Sequence, residues 1–228
     1  MFSFAQLCDT DPGLIELFVD GKEDRLSDLG RLDGLGLGEG SVVFMLQHAG
    51  WCWTAHGQGI TLTGLMATVT VDDDHCWLVA GGEPMTEGRH YWEVEICKFG
   101  ENEQDLPGSC MVGAVPPDNH HYTDGAYLID ATDGSLWGNS KISADTQGGF
   151  AQGDRVGVLL DLDAGWLRFY RNNKRCGPGF ATGVCGPLVR AAVLFGLGGA
   201  LAVLPCAVAP EGAGDTGELW ENPREGGG

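Results

Sequence analysis

Short apolar segments of five to eight residues recur between residues 60 and 204, and clusters of glycine, aspartate, asparagine and proline separate them. Apolar and polar side chains alternate within several segments; Val156, Val158 and Leu160, for example, share one face of an extended chain. Because amphipathic helical periods are missing between them, this pattern predicts an all-β antiparallel sandwich. The predicted strands are residues 60–64, 66–71, 76–80, 89–96, 110–115, 126–130, 155–162, 166–170, 188–195 and 200–204.

The two ends of the chain read differently from this central part. Residues 206–228 are dominated by glycine, proline and glutamate without any period, which predicts a disordered acidic tail. Residues 1–13 form a short lead-in. Two further strands are predicted at residues 14–19 and 41–46, with the turn dipeptide Asp20-Gly21 after the first.

The composition agrees with a turn-rich, acidic protein. The chain has 228 residues, of which 38 are glycine, and its net charge is −19 with a pI near 4.4. Glycine at more than twice its usual share of ~7% indicates many turns between short strands. Because an acidic surface repels phosphate, we expect neither nucleic acid nor a membrane as partner, and a basic or neutral ligand is favoured.

The eight cysteines show no C-x-x-C spacing, so a zinc ribbon is disfavoured, and we expect buried thiols in a reducing compartment. The first residues carry no basic region followed by a long apolar stretch, and no run of ~18 apolar residues follows elsewhere. These features predict a cytoplasmic or nuclear location.

Three motifs in the central part resemble the SPRY family when they are taken in order. Residues 88–96, GRHYWEVEI, are similar to the early Gly-x-His-Tyr-Trp-Glu-Val strand of that family. Residues 153–180 begin Gly-Asp-x-Val-Gly-Val and continue through a turn into an aromatic strand, like the central SPRY hairpin. Residues 186–195, GPLVRAAVLF, are similar to a late strand that begins Pro-Leu. The resemblance implies a concanavalin-like jelly roll over residues 51–205, in the shorter form without a PRY extension.

Residues 14–47 resemble the latter half of a ubiquitin-like fold. The matching motifs are Gly21-Lys22, the loop Leu26 to Gly30, and the last strand from Gly40 to Leu46. The first hairpin and main helix of that family have no counterpart here, so the resemblance implies only a small N-terminal half-domain. Together with the SPRY motifs, it leads us to expect an adaptor role in ubiquitin-related or signalling assemblies.

The SPRY resemblance also implies a binding site, because family members hold a short peptide segment of a partner with loops at one end of the sandwich. Mapping those loops onto this chain gives the candidate partner-binding residues Asp72, Asp73, Asp74, His75, Asp118, His120, Tyr122, Leu194, Phe195 and Gly196. The first loop is acidic where SOCS-box members carry a basic or polar loop, so a basic or neutral peptide is expected. No catalytic residue, metal or cofactor is expected.

One alternative is a carbohydrate-binding or glycoside-active jelly roll. Glu93 and Glu95 lie two residues apart on one strand face, or roughly 6.6 Å. Inverting glycosidases use carboxyl separations in this range. Binding on a glycan array, or cleavage that Glu93→Gln abolishes, would support this alternative.

Overall fold

A computed structural model of the chain describes residues 51–71, 75–101, 109–118, 125–138 and 148–214, together with the backbone of three further strands at 15–19, 43–47 and 141–143. The strands in chain order are β1 (Ile15–Val19), β2 (Val43–Gln47), β3 (Trp53–His56), β4 (Ile60–Thr63), β5 (Met66–Val69), β6 (Cys76–Met85), β7 (Arg89–Lys98), β8 (Cys110–Val115), β9 (Tyr127–Asp130), β10 (Leu136–Trp137), β11 (Lys141–Ser143), β12 (Arg155–Asp161), β13 (Trp166–Arg171), β14 (Lys174–Phe180), β15 (Leu188–Phe195) and β16 (Ala200–Leu204).

Two seven-stranded sheets form the body of the protein. The first has the order β11-β10-β9-β8-β15-β6-β3, and the second has the order β14-β13-β12-β7-β16-β5-β4. Neighbouring strands in both sheets are antiparallel. The predicted all-β antiparallel sandwich is therefore confirmed, and every strand predicted between residues 60 and 204 is present.

The core lies between the two sheets and follows the alternation in the sequence. Trp92 and Val94 of β7, Val158 and Leu160 of β12, and Ile129 of β9 are at most 1% exposed. The first four belong to one sheet and Ile129 belongs to the other, so the inward faces of both sheets contribute to one apolar cluster. Removing these side chains from water is the main favourable contribution to folding.

The pattern did not predict β3, β10, β11 or β14. The sequence of β14 is KRCGPGF, and its glycines and proline favour a turn. It forms a strand because it pairs with β13, and it lies at the edge of its sheet with no other neighbour. Pro178 has no N–H to give to a neighbour, and an edge position tolerates that loss.

The turn between β13 and β14 consists of Asn172 and Asn173, with φ of 50° and 67°. Arg171 pairs with Lys174 across it, which defines a two-residue hairpin. Such hairpins require positive φ at both central residues, a conformation that asparagine tolerates better than other non-glycine residues. The asparagine pair therefore forms the central residues of this hairpin turn.

Because Asn173 is exposed and adopts positive φ, we expect Asn173→Gly to stabilise the fold by ~0.5–1 kcal/mol and Asn173→Ala to destabilise it by about 1 kcal/mol. Urea unfolding measures both changes. The neighbouring exposed Lys174→Ala is the control and should change stability by less than ~0.5 kcal/mol. Equal stability of the glycine and alanine variants would contradict this account of the turn.

Residues 206–228 were predicted to form a disordered tail, and the structure describes residues 206–214 of that range. Residues 206–214 continue from β16 across the outer face of the second sheet. An idealised Cβ on Gly214 would lie 3.0 Å from the Trp166 ring and 3.1 Å from Leu159. Although Leu159 points away from the core, it is only 1% exposed. Disorder of the tail as a whole stays a prediction. Residues 215–228 lie outside the described residues.

Residues 14–47 are described only as strands β1 and β2, which pair antiparallel from Ile15 with Gln47 to Val19 with Val43. Both predicted strands are present, whereas the ubiquitin-like resemblance falls largely outside the described residues and stays a prediction. Within the described ranges, no helix has the length and apolar character needed to cross a membrane.

The cysteines are less uniformly buried than we expected. Cys52, Cys110 and Cys176 lie in the interior, as predicted for structural thiols. The exposed cysteines are Cys76, Cys185 and Cys206.

Candidate functional site

Strand register divides the candidate binding residues between the two ends of the sandwich. The start of β6 pairs with Phe195 at the end of β15, so His75 and Phe195 lie at the same end. Val115, at the end of β8, pairs with Val189 near the start of β15. Val189 and Phe195 are six residues apart along β15, which is ~20 Å, so Asp118, which follows β8, lies at the opposite end of the sandwich. The described candidates do not form the single surface that the sequence predicted.

Other candidates are buried or not described. Asp72, Asp73 and Asp74 lie outside the described residues, as do His120 and Tyr122, so their roles stay predictions. Leu194 is 1% exposed and belongs to the core, which corrects its assignment as a contact residue. Its neighbour Phe195 points to the other face, because adjacent strand residues alternate. The described candidates that lie together at one end of the sandwich are His75, Phe195 and Gly196.

We call the surface around these residues the loop rim and define it as Val71, His75, Trp77, Glu101 and residues 195–197. Trp77 is half-buried against the turn between β3 and β4, where an idealised Cβ on Gly57 would lie 2.5 Å from its ring. His75 is exposed, and its ring centroid lies 5.8 Å from that of Trp77. This close packing holds an aromatic pair in place at the end of the sheet.

The turn between β15 and β16 completes the loop rim. Gly196 has a φ of 88° and reverses the chain. The N–H of Leu197 donates to the carbonyl of Glu101 at 2.8 Å, and the N–H of Glu101 donates back at 3.0 Å. These two hydrogen bonds fix the backbone of Leu197 while its side chain stays 41% exposed. A large apolar side chain is therefore held on the surface.

The described charges at the loop rim are balanced, and the adjoining sequence is acidic. Glu101 lies 3.1 Å from the ammonium of Lys98, and both side chains are largely exposed. The sequence places Asp72 to Asp74 directly between Val71 and His75. These three carboxylates have no basic residue beside them in the sequence, so the loop carries excess negative charge.

A second site, which the sequence analysis missed, lies toward the opposite end of the sandwich. Arg190 of β15 occupies the same face as Leu188, Ala192 and Leu194, all of which belong to the core. Its side chain therefore points inward. The guanidinium carbon lies 5.5 Å from the Trp51 ring centroid and 5.6 Å from that of Trp92. The sequence signal that could have indicated this site is Arg190 itself, a charged residue at an inward position of the otherwise apolar strand β15.

Arg190 forms part of the wall of an open cavity of about 640 Å³, which we call the Arg190 pocket. Burial lowers the pKa of its guanidinium, because a charged group is stabilised less where water is excluded. The pocket is lined by Trp51, Cys52, Thr54, Gly82, Glu83, Tyr91, Trp92, Arg190, Leu204, Cys206 and Ala207.

The carboxylates considered for glycoside chemistry lie on the outer face of the second sheet. Glu93 is only 5% exposed, so it is buried although it lies on an outer face. The Tyr91 hydroxyl donates to Glu93 Oε1 at 2.8 Å, and Arg155 Nη1 lies 3.5 Å from Oε2. Burial, followed by the hydrogen bond to Glu93, raises the pKa of Tyr91. Glu93 is thus a partnered structural carboxylate, which gives the alternative no support.

The described residues contain no group of three or more histidine, cysteine, aspartate and glutamate side chains arranged to hold a metal ion.

A family model described as "SPRY domain" matches residues 89–203, which is just over half of the chain. This range begins at β7 and ends within β16, so it contains most of both sheets.

Curated relatives match about two fifths of the chain. E3 ubiquitin-protein ligase TRIM11 from Bos taurus is 35% identical over 100 residues, which are 42% of this chain and 19% of that protein. SPRY domain-containing SOCS box protein 3 from Xenopus laevis is 30% identical over 109 residues, which are 43% of this chain and 29% of that protein. The alignments span less than a third of either relative.

Solved structures show the same fold. The SPRY domain of human HERC1 superposes with a TM-score of 0.55 at 22% identity and covers 66% of this chain and 95% of that one. A second human SPRY domain gives a TM-score of 0.58 at 20% identity, covering 68% and 99%. At these identities the likeness concerns the fold alone.

Proposed function

The chain belongs to the SPRY domain family, whose members are typically protein-interaction modules, and on that premise we propose that it binds a short peptide segment of a partner protein at the loop rim. This fold is not usually catalytic. The observation that carries the proposal is the exposed Leu197, whose backbone is fixed by hydrogen bonds to Glu101 at the same end of the sandwich as the aromatic pair His75 and Trp77.

Fixed apolar side chains of this kind favour peptide binding, because little conformational entropy is lost when a partner covers them. Leucine and tryptophan side chains supply apolar area, and the His75 ring supplies a polar edge. Binding energy at interfaces is concentrated in a few such anchors, each contributing ~2 kcal/mol or more.

The charge of the loop rim sets the partner chemistry in this proposal. Asp72 to Asp74 adjoin His75, and the net charge of the chain is −19. An acidic segment would be repelled during approach, whereas a basic or neutral one would not. The proposed partner is therefore a basic or neutral segment with at least one apolar side chain.

A random twelve-residue peptide library displayed on phage provides the test. We expect selected peptides to be enriched in lysine, arginine and apolar residues. We expect the double variant His75→Ala/Leu197→Ala to bind them at least ~30-fold more weakly than the wild type, which corresponds to the loss of about one anchor. Fluorescence anisotropy of the labelled peptides measures the affinities.

Asp118→Ala is the matched control, because Asp118 is exposed at the opposite end of the sandwich. It should leave every selected peptide bound with unchanged affinity. Selected peptides that bind the double variant as tightly as the wild type would place the site elsewhere. Peptides lost in Asp118→Ala alone would move it to the opposite end.

An adaptor role in ubiquitin-related or signalling assemblies, in the cytoplasm or nucleus, belongs to the same proposal. Its support is that two relatives are, by name, an E3 ubiquitin-protein ligase and a SOCS box protein. The alignments cover only small parts of those proteins, so the chain resembles one segment of each. In this proposal, that segment is the domain that holds the partner.

A further inference from the structure

Arg190 is an unusual element of the sandwich core because it is a cation that forms no ion pair with any residue that the structure describes. The ion pairs formed between described residues involve Arg89, Arg155, Arg171 and Lys98. Arg190 has two tryptophan faces instead, and its Nε has no hydrogen-bond partner within the described part of the chain. Buried donors are nearly always paired, because leaving one unpaired costs free energy.

Two indole nitrogens are also buried without a hydrogen-bond partner among the described residues. Nε1 of Trp92, which also lines the pocket, is buried and has no acceptor among the described residues. The same holds for Nε1 of Trp53, whose ring centroid lies 4.8 Å from that of Trp51. Trp53 does not line the pocket, whereas Arg190 and Trp92 do, and the unpaired atoms of those two residues are both donors. A ligand in the pocket that pairs with them must therefore supply acceptors, and beside a guanidinium the best acceptor is an anion.

The backbone around Arg190 leaves room for the guanidinium. An idealised Cβ on Gly82 would lie 2.6 Å from Nη1 of Arg190, so any larger residue would displace that nitrogen. Gly82 also has a φ of 74°, which favours glycine. The cavity of about 640 Å³ is within the usual range for ligand pockets.

We propose that the Arg190 pocket binds the carboxylate of a glutamate or aspartate side chain in an apolar segment of a partner protein. A planar carboxylate matches the paired N–H groups of one guanidinium. The tryptophan faces provide apolar surface for the residues beside it. This site lies toward the opposite end from the loop rim and does not depend on it.

The lining distinguishes a side-chain carboxylate from other anions. A phosphate carries nearly two charges, whereas the pocket offers one cation and also includes the carboxylate of Glu83. A chain-terminal carboxylate is typically captured by consecutive backbone N–H groups. The unpaired donors here belong to side chains, so a carboxylate on a side chain is the better match.

The test uses three capped or free tripeptides as probes: acetyl-Leu-Glu-Leu-amide, acetyl-Leu-Gln-Leu-amide and acetyl-Leu-Gln-Leu with a free carboxyl end. Titrations of the ¹⁵N-labelled full chain follow the indole N–H signals. We expect the glutamate probe to shift the Trp92 signal saturably and to bind at least ~10-fold more tightly than the glutamine amide, because only the first pairs with Arg190.

Variants separate this site from general effects. Arg190→Met should reduce binding of the glutamate probe to the level of the glutamine amide. Arg168→Lys is the matched control, since Arg168 also stacks on a tryptophan, with 4.5 Å between its guanidinium carbon and the Trp166 ring, but outside the pocket. It should bind normally, as should Leu197→Ala, which affects only the loop rim.

Three results would overturn the proposal. Equal affinity of the glutamate and glutamine probes would show that Arg190 only packs against the tryptophans, and this comparison needs no variant that might fail to fold. Unchanged glutamate binding in Arg190→Met would exclude the pocket. Binding of the free-acid probe alone would assign the site to chain ends rather than to acidic side chains.

Discussion

Replacing Leu201 by alanine is expected to lower the free energy of unfolding by ~3–5 kcal/mol, which is much of the stability of an ordinary domain. Leu201 is completely buried in β16, where it pairs with Ile96 of β7 and Ala67 of β5. Its removal leaves a cavity between two close-packed sheets. Neighbouring backbone that is hydrogen-bonded on both sides cannot collapse to fill it.

Leu197→Ala is the matched control, because it makes the same chemical change four residues earlier. Leu197 is 41% exposed, so its loss should change the unfolding free energy by less than ~0.5 kcal/mol. Urea or guanidinium unfolding followed by tryptophan fluorescence measures both variants. Similar losses in the two variants would contradict the assignment of Leu201 to the core and of Leu197 to the surface.

The second large effect is expected at Glu93, where alanine should lower the free energy of unfolding by about 2–3 kcal/mol. The variant would leave the Tyr91 hydroxyl without its acceptor and Arg155 without its anion. Glu93→Gln keeps an acceptor for Tyr91 and loses only the charge, so its loss should be smaller. Glu95→Ala, on the same face of the same strand, is the control and should cost least.

A double-mutant cycle isolates the pair. If the hydrogen bond of 2.8 Å operates in solution, Tyr91→Phe and Glu93→Ala together should cost less than the sum of the single variants, by ~1 kcal/mol, because each single variant already removes the bond. Additive losses would show that the two side chains act independently.

The same pair predicts a dependence on alkaline pH. The folded pKa of Tyr91 is raised above its ordinary value of 10.0, mainly by burial and then by Glu93. The unfolded chain therefore releases this proton first, so the contribution to stability is present below pH 10 and is lost as the pH rises above it. Each pH unit removes up to ~1.4 kcal/mol. Tyr91→Phe should show a shallower decline, and identical slopes would contradict the shift.

Most of the fold was predictable from residue patterns. Val156, Val158 and Leu160 alternate so regularly that both the strand and its buried face follow from the sequence, and the structure confirms them. The asparagine turn at residues 172–173 was predictable because positive φ is a local property of the residue. The edge strand β14 was not predictable, since only pairing with β13 makes an extended Gly-Pro segment favourable.

The candidate site was less predictable, because binding surfaces depend on residues that are distant in sequence. Nothing local to Asp118 reveals that β8 carries it away from His75, since that follows from the pairing of β8 with β15. In the sequence, Leu197 is one apolar residue in a glycine-rich turn, and no pattern marks it as a binding residue. Its hydrogen bonds to Glu101, nearly a hundred residues earlier, give it a fixed position.

The sequence by itself determined the all-β class, the SPRY motifs, most strands and the acidic character of the chain, because strand alternation, turn chemistry and charge are local or summed properties. Only the tertiary structure decided which loops share an end, that Glu93 is buried on an outer face, and that Arg190 packs against two tryptophan rings without an ion pair to any described residue. Those outcomes depend on sheet order and on which segment covers each face. They are set by contacts between distant parts of the chain, which no local pattern contains.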